Sequence, residues 1–254
     1  MRSIDLNADL GEGYGPWVMG DDAAMLTLVS SANVACGGHA GDPETMFRTL
    51  TLAKAQGVVT GAHPSYPDKA GFGRRRLPCA PAEIERFVAA QVGALLGVAA
   101  LVGQPIAYVK PHGALANVAA EEVAVATAIV GAVRAVDPGL ALLAISGTVL
   151  EEVARVAGLA VFSEVFADRG YTPRGTLVPR GTPGAMIEDG EAAAARLFDF
   201  LDSGVMPTVG GDPVALAADS VCIHGDSAHA VAMAQHLKAA FAARGVTVSP
   251  FVTR

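Results

Sequence analysis

The residues able to do chemistry stand at the ends of short apolar runs. Asn33-Val-Ala-Cys-Gly-Gly-His-Ala-Gly-Asp-Pro43 breaks from such a run into glycines and presents Cys36, His39 and Asp42. Val58-Val-Thr-Gly-Ala-His63, Ile106-Ala-Tyr-Val-Lys-Pro-His112 and Val221-Cys-Ile-His224 each end in a histidine, and Lys110 precedes His112 by two. The alternating run Ser3-Ile-Asp-Leu-Asn-Ala-Asp9 ends in a carboxylate with Asn7 before it and Glu12 just beyond. A later run presents Glu164 and then Asp168-Arg169.

Three chemistries fit these residue types. Metal-assisted hydrolysis would join Asp9 to two of the four tip histidines, polarising an amide and activating water. Metal-free acid/base work would use Asp9 or Glu164 as base, a tip histidine as acid and Lys110 to stabilise the oxyanion. A binding module would use the same groups without reaction. The sequence has no His-Glu-x-x-His, no Gly-x-Ser-x-Gly elbow and no Gly-Lys dipeptide, so it carries no standard zincin, serine-hydrolase or P-loop signature.

Each of these residues also has a bland reading. Asp42 before Pro43-Glu44 reads chiefly as a helix cap, and Cys36 as a small packed thiol. A lone tip histidine or carboxylate often only ties a loop. Six separate tips carrying such groups point to a shared pocket.

The elements that must position them alternate. Strands begin near 3, 32, 58, 106, 140, 160, 221 and 246, with helices expected over 42–54, 81–102, 121–136, 148–157, 188–201 and 227–243 and a short one after Asp21 or Asp22. This is the pattern of a single α/β domain over 1–254, a (β/α) barrel of seven or eight strands, whose functional groups follow the C-terminal ends of strands. Two irregular loops carry arginines: 67–81 with Arg74, Arg75 and Arg76, and 170–184 with Arg174 and Arg180. Connections that long inside a compact domain are usually functional.

Composition narrows the partners. A net charge of −7 and a pI near 5.3 argue against nucleic acid, which demands dense Lys and Arg. The uncharged run 87–109 is long enough to span a bilayer, but Gln91 and the Gly103-Gln104-Pro105 turn break it, so no membrane role is expected. Three cysteines without a Cys-x-x-Cys pair, and a polar start, lead us to expect a reducing, cytoplasmic setting and a small-molecule substrate.

Several long motifs together resemble the LamB/YcsF family: Asp5-Leu-Asn-Ala-Asp-Leu-Gly-Glu12, 33–43, Gly61-Ala-His-Pro-Ser-Tyr-Pro67, Gly71-Phe-Gly-Arg74, Lys110-Pro-His-Gly-Ala-Leu115, Glu164-Val-Phe-Ala-Asp-Arg169 and Gly175-Thr-Leu-Val-Pro-Arg180. Members act as the A-subunit of bacterial 5-oxoprolinase. The resemblance implies an irregular barrel like that of the glycoside hydrolase/deacetylase superfamily. It also implies ATP-dependent opening of 5-oxo-L-proline to L-glutamate, with partner subunits B and C helping to hold ATP. The expected catalytic residues are Asp9, His39, Lys110 and His112; Asn7, His63, Glu164, Arg180 and His224 are the expected substrate-binding residues. A divalent metal stays open. The alternatives are a metal-dependent deacetylase or amidohydrolase and a non-catalytic subunit that presents substrate. Gly38 and Ala116 depart from the family pattern, where an aromatic is expected at each, and the sequence-level reading is a widened pocket.

Overall fold

The computed structural model of the chain describes residues 2–223 and 230–253. Its strands are β1 (Arg2–Leu10), β2 (Ser31–Ala35), β3 (Val59–His63), β4 (Ile106–Val109), β5 (Ala141–Ile145), β6 (Val161–Phe166), β7 (Val205–Met206), β8 (Val214–Ala215), β9 (Ser220–Ile223) and β10 (Val246–Val248). The helices are α1 (Asp22–Met25), α2 (Pro43–Gln56), α3 (Pro81–Val102), α4 (Gly113–Ala119), α5 (Val123–Val136), α6 (Val149–Val156), α7 (Gly190–Ser203) and α8 (Ala230–Ala243).

Seven parallel strands close in the order β1-β2-β3-β4-β5-β6-β9, with β9 returning to β1. The eighth strand lies outside the ring. The nine-residue β1 is long enough to serve two neighbours: Arg2 to Ile4 pair with β10, and from Asp5 onward β1 pairs with β9. An antiparallel hairpin of β7 and β8 sits outside the barrel and has no counterpart in the sequence-level reading.

Local sequence explains the helix bounds. Asp42 accepts from Thr45 N at 2.8 Å with Pro43 at the first helical position, and Gly57 stops α2 in the left-handed region. The expected helix over 121–136 is α5, and a short further helix that was not expected, α4, precedes it at 113–119. The apolar α3 is long enough to cross a membrane by length and composition. Its stripe Ile84, Val88, Val92, Leu95 and Ala99 is buried, packed towards α2 and α5.

The inside of the barrel is polar. Period-two alternation in β1 sends Leu6, Ala8 and Leu10 into the apolar core and puts Asp5, Asn7 and Asp9 on the opposite face. Register aligns that face with Ser31 and Asn33 of β2, Gly61 and His63 of β3, and Ser220 and Cys222 of β9. An aromatic cluster closes one region of this interior: Phe251 contacts Tyr108 and Phe162 with ring centroids 4.9 Å away in each case.

Gly61 is required there. A Cβ on it would lie 2.3 Å from the Tyr108 ring, whose hydroxyl donates to Asn33 Oδ1 at 2.7 Å. We expect Gly61→Ala to cost about 1–3 kcal/mol in urea unfolding, the usual range for overpacking. An unchanged midpoint would contradict this packing.

Asp5 is a second sensitive point. It accepts from the hydroxyls of Ser30, Ser31 and Ser220, yet burial wins and raises its pKa from 3.8 to about 6. The folded state therefore binds this proton more tightly than the unfolded chain. Its contribution to stability is complete below pH 3.8 and is lost as pH rises through about 6. Asp5→Asn should remove a fall of about 3 kcal/mol across that window, visible as a flatter pH profile of unfolding free energy.

Candidate functional site

Five of the expected site residues reach one end of the barrel from different elements. Asp9 comes from the end of β1, His63 from the end of β3, Lys110 from just after β4, His112 from the N-cap of α4 and Glu164 from within β6. All five line one cavity of 330 Å³. The volume falls in the range of small-molecule sites.

Lys110 is its electrostatic centre. Its Nζ lies 3.0 Å from Asp9 Oδ1, 2.8 Å from Glu164 Oε1, 3.1 Å from Asn7 Oδ1 and 3.0 Å from Cys222 Sγ. Burial alone would discharge the amine, but the Asp9 and Glu164 carboxylates outweigh it and hold the pKa well above its ordinary value. Burial pushes the Cys222 thiol up, so a neutral thiol faces the ammonium.

Beneath this group runs a buried amide network. Asn33 Nδ2 donates to Asn7 Oδ1 at 2.6 Å and Asp9 Oδ1 at 2.9 Å, while Asn7 Nδ2 donates to Glu164 Oε1 at 2.9 Å and Ser220 Oγ at 2.7 Å. Asn7 is therefore placed behind the cavity wall rather than among its lining residues, as a support for Lys110 and Glu164.

The second half of the site is imidazole. His63 Nε2 lies 3.3 Å from Asp9 Oδ1 and 3.1 Å from His112 Nδ1. His63 Nδ1 donates to Lys110 O at 2.7 Å, and His112 Nε2 donates to Phe72 O at 2.9 Å. His39 lies parallel to His112, with ring centroids 3.7 Å apart, and its Nε2 is 2.9 Å from Glu12 Oε1. His39 is buried behind the cavity, and its Nδ1 has no hydrogen-bond partner among the described residues. Desolvation, reinforced by neighbouring imidazoles, pushes His39 and His112 well below the usual histidine range. Glu12, His39, His63 and His112 each offer one ligand atom, and these atoms lie within 4.8 Å of one another.

Arginines complete the cavity. Arg74 and Arg180 are exposed and Arg169 is buried, and all three line it. Arg169 is held by donation to Ala185 O at 3.1 Å and Val178 O at 2.7 Å; burial and the charge of Arg180 lower its pKa to about 10. Of the triple arginine in loop 67–81, Arg75 binds Asp68 and Arg76 binds Glu122, so Arg74 alone faces the cavity.

His224, expected at the end of β9, lies outside the described residues. Sequence reasoning passed over Glu12, Asn33, Arg169 and Cys222 as members of the site. Asn33 had a signal, since two-residue alternation in β2 puts it in register with Asp9. Gly38 does not widen the pocket: a Cβ there would sit 2.2 Å from Gln91 Oε1, because the Gln91 amide fills that space while bonding both N and O of Ser65. Ala116 does line the cavity, so the small side chain there leaves room.

Comparison with known proteins shows the family. The LamB/YcsF family profile matches residues 4–254. The chain is 51% identical over 251 residues to a 5-oxoprolinase A-subunit, the one numbered 3, of Pseudomonas syringae pv. tomato, covering 99% of this chain and 98% of that protein. It is 49% identical over 251 residues to the 5-oxoprolinase A-subunit of Azorhizobium caulinodans, covering 99% of each. Among solved structures, the lactam utilization protein from Thermus thermophilus superposes with a TM-score of 0.91 at 44% identity, over 97% of this chain and 99% of that one. On a match that runs almost from end to end, the chain belongs to the LamB/YcsF family.

Proposed function

We propose that the chain is the lactam-handling subunit of an ATP-dependent 5-oxoprolinase and works with subunits B and C in the cytoplasm. The observation that carries this reading is the buried Lys110 ammonium, held by two carboxylates in a cavity that arginines also line. A small lactam bearing a carboxylate matches that polarity. The near-full-length relatives named as A-subunits of 5-oxoprolinase support the same substrate. The free thiols Cys36, Cys79 and Cys222 fit a reducing compartment.

In this reading Arg74 and Arg180 grip the substrate carboxylate, with Arg169 behind them, and Lys110 stabilises negative charge developing on the lactam oxygen. Asp9, beside the His63–His112 pair, takes the proton of the attacking water, the C–N bond breaks, and the ring nitrogen leaves protonated as the amine of glutamate. A second water hydrolyses ATP. With no P-loop in this sequence, the nucleotide is assigned to the partner subunits. His63, Glu164 and Asn7 hold the reacting groups in place. His39 acts from behind, through Glu12 and its stack on His112.

The purified chain is expected to be inactive alone and, with B and C, to release glutamate and ADP together from 5-oxoproline. Asp9→Asn and His112→Asn should each lower kcat at least about a hundredfold while the assembly stays folded by thermal melting. Full turnover in both variants would sink these roles, and no lactam-dependent ADP release in the complete mixture would sink the function.

The arginines give a separate readout. Arg74→Ala and Arg180→Ala should raise KM for 5-oxoproline about tenfold each, with kcat less affected. Activity on 2-pyrrolidinone, which lacks the carboxylate, should not change. Equal losses on both lactams would contradict carboxylate binding here.

A second reading, metal-dependent amide hydrolysis without ATP, is favoured by the Glu12, His39, His63 and His112 cluster. Lactam or acetamide cleavage by the chain alone would select it.

A further inference from the structure

We propose that Glu12, His63 and His112 form a site for a divalent transition-metal ion, with zinc the best match. The inference rests on proton positions and coordination geometry and is independent of the lactam reading. A backbone carbonyl can only accept, so Lys110 O fixes a proton on Nδ1 of His63 and Phe72 O fixes one on Nε2 of His112. A neutral imidazole carries a single N–H. The nitrogens left over, His63 Nε2 and His112 Nδ1, are therefore lone pairs facing each other at 3.1 Å. Two lone pairs at that distance repel unless they share a cation.

The surroundings suit a metal ion. Zinc bonds of about 2.0–2.1 Å in a tetrahedron separate ligand atoms by roughly 3.3 Å. Here His63 Nε2 and His112 Nδ1 are 3.1 Å apart, and Glu12 Oε1 is 3.7 Å from His112 Nδ1. The two rings are nearly perpendicular, at 87°, with centroids 4.9 Å apart. Two imidazoles on one tetrahedral zinc place their centroids about 5 Å apart by the same bond lengths.

His39 belongs to the next layer. Its plane lies within 4° of that of His112, so the in-plane lone pairs of the two rings do not meet at one point. Its Nε2 instead holds Glu12 at 2.9 Å, the kind of outer contact that fixes a ligating carboxylate. Two histidines and one glutamate leave a fourth position, as catalytic zinc sites do. His63 and His112 both line the cavity, and Asp9 Oδ1 lies 3.3 Å from His63 Nε2, so a water on the metal would have a carboxylate beside it.

The test is metal binding by the whole chain after stripping with chelator. Calorimetry with zinc should give one ion per chain with submicromolar Kd, and cobalt should produce the visible absorption bands of a low-coordinate site. Glu12→Gln and His112→Asn should each weaken zinc binding at least a hundredfold. His236→Asn, at an exposed histidine of α8, should not change it. X-ray absorption of the zinc-loaded parent should count two imidazoles plus oxygen and no sulfur; this readout decides even if a variant fails to fold. No stoichiometric metal, a shell containing sulfur or lacking imidazole, or undiminished binding in folded Glu12→Gln and His112→Asn would overturn the proposal. The shared cation would then be a proton.

Discussion

An ammonium group inside a β-barrel survives only where fixed carboxylates and amide oxygens replace its water, and Lys110 has both. Removing one partner from such a group leaves an uncompensated charge, typically a loss of about 3–5 kcal/mol. That requirement organises the interior. Barrels of this kind usually fill their centres with layers of branched aliphatics, whereas β1 here presents Asp5, Asn7 and Asp9 to its neighbours. Asn7 is the hinge of the arrangement, since its Oδ1 meets Lys110 while its Nδ2 meets Glu164 and Ser220.

A polar centre contributes little net stability, so packing outside the ring has to supply it. Leu6, Ala8 and Leu10 on the other face of β1 belong to one continuous apolar core with α2, α3, α5 and α8 residues. The aromatic plug of Tyr108, Phe162 and Phe251 meets the network at a single hydroxyl, where Tyr108 donates to Asn33. This division lets the sheet hold charged groups rigidly without relying on them for its own cohesion.

Much of this was legible in the sequence, for physical reasons that can be named. Two-residue alternation marked β1, glycine and proline marked its loops, and a histidine at the end of four of the apolar runs marked their tips. Asp42 as a cap was equally plain from the Pro-Glu that follows it. What stayed hidden depends on register and on distant loops. Seven-strand closure with β10 outside follows from the length of β1, which strand counting does not see. The α4 helix is only seven residues long and carries no side-chain cap, so nothing local announces it. Arg169 sits beside an equally charged Arg180, and only the folded loop at 170–184 shows which of them is buried. The effect of Gly38 was misread because the residue that fills its space, Gln91, lies far away in sequence, on α3.

The loop at 67–81 joins the two halves of the site. Phe72, at a φ of 54° that a residue with a side chain seldom adopts, turns its carbonyl onto His112 Nε2 and its ring edge-on to His39 and His112. Two residues later the same loop delivers Arg74 to the cavity, and between them Gly73 has no room for a Cβ against His39 and His112. The arginine that lines the cavity and the carbonyl that fixes the His112 tautomer are therefore two residues apart on one loop.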